Sequence, residues 1–222
     1  MNDRVLVRVR ARLWPVLVAA TLLAAGCKAQ AAVVPRDVTD DDLRAVTLTA
    51  GDLPPGFRLL EEKLTTNNEE YAREDYKKNP EKAREILDSL GRLAGIENSF
   101  IPVDGAPERP RQPVVMGAEA HRFSDVDHAH RAMGNHELDE YSEGTESGVT
   151  RMADPRLGDE SVMERGYLDG DGRGMVVYAV VFRKGAVIIQ VGTAAYPHLD
   201  DRGEHAVRLA RLLSERAGAK LP

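Results

Sequence analysis

Eight consecutive residues, Met175-Val-Val-Tyr-Ala-Val-Val-Phe182, are apolar without interruption. A strand shows its side chains alternately to the two faces of a sheet. A run of this kind is therefore apolar on both faces and predicts the centre of a sheet. Its neighbours in sequence fit the same sheet. Ser161 to Leu168 and Ala186 to Thr193 read as strands, joined to the central run by turns at Asp169-Gly-Asp-Gly172 and Lys184-Gly185. Val114 to Phe123 alternates Val114, Met116, Ala118 and Ala120 against Gly117, Glu119 and His121, the pattern of a strand with one buried face. Ile96 to Ile101 reads as a shorter strand, and Phe57 to Leu60 as an extended segment after the turn at Leu53-Pro-Pro-Gly56.

Helical patterns separate these strands. Thr39 caps a short helix through Leu43 and Val46, with Asp42 at its third position. Asn68 to Leu93 is helical with a restart at Asn79-Pro80, and its second half places Ala83, Ile86, Leu87, Leu90, Leu93 and Ala94 on one stripe. Ser124 is expected to cap a helix from Asp125 to about Tyr141. A last helix, about Asp200 to Ala217, buries Ala206, Leu209, Ala210, Leu213 and Ala217. Residues 102 to 113 hold four prolines and read as a surface loop. The order of elements predicts an α+β fold, a mostly antiparallel sheet of about five strands with helices packed on it.

The N-terminus has a different character. Arg4, Arg8, Arg10 and Arg12 precede an uncharged stretch from Leu13 to Ala25, the n-region and h-region of a secretory signal. Thirteen helical residues rise only about 20 Å, short of a hydrocarbon core of roughly 30 Å. The stretch ends in Leu23-Ala-Ala-Gly-Cys27, and Cys27 is the single cysteine of the 222 residues. That string resembles the lipobox of bacterial lipoproteins. The resemblance implies cleavage after Gly26, a diacylglyceryl group on the Cys27 thiol, and a mature chain held on the outer side of a cell membrane or outer membrane. The competing reading is a plain exported protein with a spare thiol. Residues 1–26 are thus expected to be a signal peptide, 27–37 a lipidated cysteine and tether, and 38–222 one α+β domain. Without a free thiol the mature domain has no intramolecular disulfide, and its stability must come from its core.

Two further resemblances concern the domain. The opening Leu48-Thr-Ala-Gly-Asp-Leu-Pro-Pro-Gly-Phe57 and the element Leu157-Gly-Asp-Glu160 resemble segments of sensor-like domains in exported actinobacterial lipoproteins and receptor kinases. The element order also resembles the fold of the extrinsic oxygen-evolving proteins of photosystem II. Both imply a binding or envelope role, and neither carries site residues to this chain.

Charge and motif exclude several chemistries. The chain holds 30 Lys and Arg against 36 Asp and Glu, of which four and one fall in residues 1–26, so the mature chain carries a net −9. Nucleic acids and anionic lipid surfaces need basic residues to neutralise phosphates, and no nucleic-acid partner is expected. His121, His130 and His136 are the candidate metal ligands, yet His128, His130 and His136 diverge around a helix at 100° per residue. His136-Glu-Leu-Asp-Glu140 has a Glu where a zinc-protease helix has its second His. Asp169-Gly-Asp-Gly-Arg-Gly174 begins like a calcium loop, but Arg173 stands at the fifth position and Val180 at the twelfth. No Gly-x-Ser-x-Gly string is present. The expectation is a binding, sensor or envelope-associated module without catalytic activity or cofactor. It would be held to the membrane by its lipid and take a small-molecule or protein ligand on an uncovered sheet face or beside the 102–113 loop. The alternative is a metal-dependent or hydrolytic enzyme whose residues meet only in the fold.

Overall fold

The computed structural model describes residues 37–104, 111–135, 146–168 and 174–222, with the side chains of 146–148 left aside. Seven strands form one sheet: β1 (Phe57–Thr65), β2 (Arg92–Pro102), β3 (Val115–Phe123), β4 (Glu146–Arg151), β5 (Glu160–Leu168), β6 (Met175–Lys184) and β7 (Val187–Ala195). Their order is β1-β2-β3-β7-β6-β5-β4, and every neighbouring pair is antiparallel. The described residues also form five α-helices: α1 (Asp40–Ala45), α2 (Asn68–Asp75), α3 (Pro80–Ser89), α4 (Val126–Met133) and α5 (Glu204–Lys220).

The α+β class and the antiparallel sheet follow the sequence, but the strand count is seven rather than about five. The two edge strands make the difference. β1 extends to Thr65 through Glu61, Glu62 and Lys63, charges that suit an edge facing water and hide the apolar alternation. β4, Glu146-Ser-Gly-Val-Thr-Arg151, holds a single aliphatic residue and so shows no apolar alternation.

The sheet is covered on both faces. On the first face α1 and α5 pack over Ala94, Ile96, Met116, Ala118, Tyr178, Val180, Phe182, Ile189 and Val191. Helix α5 contributes Ala206, Leu209, Ala210, Leu213 and Ala217, all fully buried. Burying a leucine contributes about 2 kcal/mol, so Leu209 and Leu213 dominate this contact. On the second face α2, α3 and α4 pack at one end over Phe123, Val162, Val181 and Ile188. Ile101, Val115, Leu168, Val177 and Ala194 form a separate apolar cluster. Strands β6 and β7 are buried on both faces, as the Met175–Phe182 run requires. Strand β3 is buried on both faces too, not one, because Glu119 and His121 face the helix-covered side and are enclosed there.

Helix starts follow capping chemistry. Thr39 Oγ1 accepts from Asp42 N at 3.2 Å while the Asp42 carboxylate accepts from Thr39 N at 2.9 Å. Asn79 caps α3 ahead of Pro80. Asp125, rather than Ser124, caps α4 by accepting from His128 N at 2.8 Å. Helix α3 also stops earlier than its apolar stripe suggests. Gly91 takes φ +69° and ends it, so Leu93 and Ala94 belong to β2 and not to the helix.

Candidate functional site: a polar belt on the second sheet face

Cross-strand register brings small and polar residues into adjacent rows between the two apolar clusters of the second face. Ser99 pairs with Gly117, Gly117 with Gly192, Gly192 with Ala179, and Ala179 with Glu164. The next row runs Lys63, Glu97, Glu119, Gln190, Val181. Five strands at about 4.8 Å spacing make the first row about 19 Å long. Two glycines and an alanine at its centre leave a flat floor. A depression of about 10 Å³, room for a single water, lies among Glu97, Ser99, Gly117, Glu119, Gln190 and Gly192.

Polar groups in this belt are buried. Ser99, Glu119, Glu164 and Gln190 all expose 7% or less of their surface. The Ser99 hydroxyl has no hydrogen-bond partner among the described residues. Burial pushes the Glu164 carboxyl from 4.5 up to about 7, against the opposing pull of Arg151, its cross-strand neighbour. The Glu164 carboxyl and the Ser99 hydroxyl stand at opposite ends of this row, four strand spacings apart.

At the helix-covered end of the belt sits a buried cation. Arg92 Nε donates to His121 Nδ1 at 3.0 Å, Nη1 to Asn68 Oδ1 at 2.8 Å and Nη2 to Thr65 Oγ1 at 2.8 Å. Its guanidinium lies 4.0 Å from the centroid of the Tyr71 ring. Gly95 makes room for this cluster, since a Cβ there would stand 2.3 Å from His121 Nδ1 and 2.7 Å from Arg92 Nη2. The arrangement also sets the histidine's state. An Nδ1 that accepts from arginine carries no proton, so the ring is neutral with its proton on Nε2, 3.3 Å from Glu119 Oε2. Burial, and then the adjacent Arg92 charge, hold His121 well below the usual histidine range.

The two described candidate metal ligands, His121 and His130, each face other partners. His121 commits its lone pair to Arg92, and His130 pairs with Glu160 at 2.9 Å. His136, Asp169-Gly-Asp-Gly172 and Glu137 to Glu143 lie outside the described residues. Among the described residues no three His, Cys, Asp or Glu side chains cluster in a way that could hold a metal ion.

Both motifs of the sequence resemblance are clasps. In the first, Asp52 accepts from Thr49 N at 2.7 Å and pairs with Arg216 of α5 at 2.7 Å, while Arg216 also reaches the Thr47 carbonyl at 2.8 Å. In the second, Gly158 takes φ +59° and a Cβ there would stand 2.2 Å from the Arg183 carbonyl. Asp159 accepts from Gly185 N at 2.8 Å, and Glu160 receives Arg183 and His130. These residues bolt β5 to the β6–β7 turn.

A single antiparallel sheet with helices on both faces is an α+β fold shared with a solved extracellular domain. The extracellular domain of PknH from Mycobacterium tuberculosis superposes with a TM-score of 0.50 at 11% identity, covering 81% of this chain and 98% of that one. LpqN of Mycobacterium tuberculosis, described as involved in cell envelope biogenesis, matches at 15% identity over 73% of this chain and 78% of that one. Its TM-score of 0.27 is too low to carry an argument. No family model matches the chain, and no curated protein matches it. No helix among the described residues is long and apolar enough to cross a membrane.

Proposed function

We propose that this chain is a lipid-anchored, extracytoplasmic binding or sensor module without catalytic activity, whose ligand contacts the polar belt of the second sheet face. The observation that carries the binding role is the Ser99 hydroxyl, unpartnered among the described residues, beside the Gly117–Gly192 floor. A buried hydroxyl left without a partner costs about 1–3 kcal/mol. A ligand that supplies the missing bond recovers that cost on binding. The fold shared with an extracellular domain supports the compartment, and the string ending in Cys27 supports the anchor.

Intact-mass analysis of the protein extracted from membranes tests the anchor. The expected species begins at Cys27 and carries acyl chains, and Cys27→Ala is released from the membrane fraction. An unmodified Cys27 in a chain that leaves the membrane on washing would overturn the anchor.

A further inference from the structure

The end of the sheet where the chain enters the domain carries a second surface. Asp37 and Val38 line a groove of about 730 Å³ whose walls include Leu93, Phe123, Val126 and Lys184. Leu93 and Val126 are each 47% exposed, two of the few large apolar side chains that face outward. The fold holds both in place. Leu93 stands at the register shift between Arg92 and Ala94, a bulge of the type that re-aims a side chain. Val126 opens α4 directly after its Asp125 cap. Ser124 N donates to the Gly91 carbonyl at 2.8 Å and ties the two starts together.

The charges around this groove lean negative, two cations against four carboxylates. Arg122 and Lys184 stand against Asp37 and Asp125 on its walls, with Asp40 beside Arg122 and Asp159 beside Lys184. Such a rim provides no field that would select an anionic surface. Its adhesion would come from apolar contact.

Position along the sheet decides what this end meets. β2 runs for 11 residues, so Leu93 and Val103, a third outward aliphatic at 41% exposure, mark opposite ends about 33 Å apart. The Leu93 end shares its groove with Asp37, and Cys27 lies ten residues earlier, within about 35 Å of extended chain.

We propose that this end is a lipid-contact surface, with Leu93 and Val126 seated at the headgroup–acyl boundary of the membrane that holds Cys27. The proposal rests on the lipid-anchor reading. It stands the sheet upright, with the Ser99 row about 20 Å further along β2 and clear of the bilayer.

The only tryptophan, Trp14, precedes Cys27, so the mature chain has none and a single introduced tryptophan reports its own surroundings. Leu93→Trp, Val126→Trp and Val103→Trp are prepared in the acylated chain and reconstituted into phosphatidylcholine vesicles containing brominated lipid. The expected result is quenching and a blue shift at positions 93 and 126, none at 103, and no gain from added anionic lipid. Equal quenching at 93 and 103, or none at 93 and 126 in a chain that floats with the vesicles, overturns the lipid contact while leaving the anchor intact. A blue shift at 93 that appears without vesicles and grows with protein concentration also overturns it, in favour of a second copy of the chain. A chain that lacks acyl groups by mass and does not float overturns the anchor, and the contact with it.

Discussion

Replacing Glu164 with glutamine isolates the electrostatic cost built into the belt. In the folded domain the carboxyl titrates near about 7 because burial disfavours its charged form, whereas in the unfolded chain it titrates near 4.5. Below 4.5 both states hold the proton and the group contributes nothing to the pH dependence. As pH rises from 4.5 towards 7 the unfolded chain releases its proton and the folded chain keeps it, so stability falls. Above 7 both states are ionised and the penalty is constant. At 1.36 kcal/mol per pH unit the full penalty is about 3 kcal/mol, of which less than about 1 kcal/mol has accrued at pH 5. Glu164→Gln keeps the shape and removes the ionisation. Equilibrium urea denaturation should therefore show the variant near the parent at pH 5 and more stable by about 2–3 kcal/mol at pH 8. Equal differences at the two pH values, or a loss of stability at pH 8, would refute the reasoning.

Other perturbations follow from the same geometry. Arg92→Met removes three donated hydrogen bonds, two of them to acceptors on the buried residues His121 and Thr65, so thermal melting should report a loss of about 3 kcal/mol or more. Arg92→Lys should recover little of it, because an ammonium cannot reproduce the guanidinium fork. Gly95→Ala drives a methyl into His121 and Arg92, and chemical denaturation should show a destabilisation of about 1–3 kcal/mol. Asp52→Ala loses the Arg216 pair and the Thr49 contacts, for about 1–2 kcal/mol by denaturation, with faster amide exchange in α5 than in α3. His130→Ala, on an exposed pair with Glu160, should stay within about 0.5 kcal/mol of the parent in the same melts.

The central strands were legible because burial on both faces leaves no polar position between Met175 and Phe182, and α5 was legible because its leucines and alanines keep a helical period. The boundary at residue 91 was harder. Leu90, Leu93 and Ala94 continue the spacing of Ala83, Ile86 and Leu87, and only the conformation of Gly91 separates helix from strand. The glycine itself was the available signal, since helices commonly end on one. The belt was less legible than either. Glu119 and His121 alternate with aliphatic residues as an exposed face would, yet they are enclosed because Arg92, 29 residues away, reaches His121 under α2. Glu164 reads as an ordinary charge in sequence, and it becomes unusual only when the register sets it in one row with Ala179, Gly192, Gly117 and Ser99. Such pairings depend on strand order, which local periodicity does not encode.

The most direct measurement is native mass spectrometry of the domain spanning residues 28–222, with and without Ser99→Ala, after incubation with extract of its own envelope. A binding module predicts a stoichiometric small-molecule or protein adduct on the parent that is weakened in the variant. An adduct that Ser99→Ala leaves unchanged would contradict the placement of the ligand on the belt, and a bare mass for both would contradict the binding role itself.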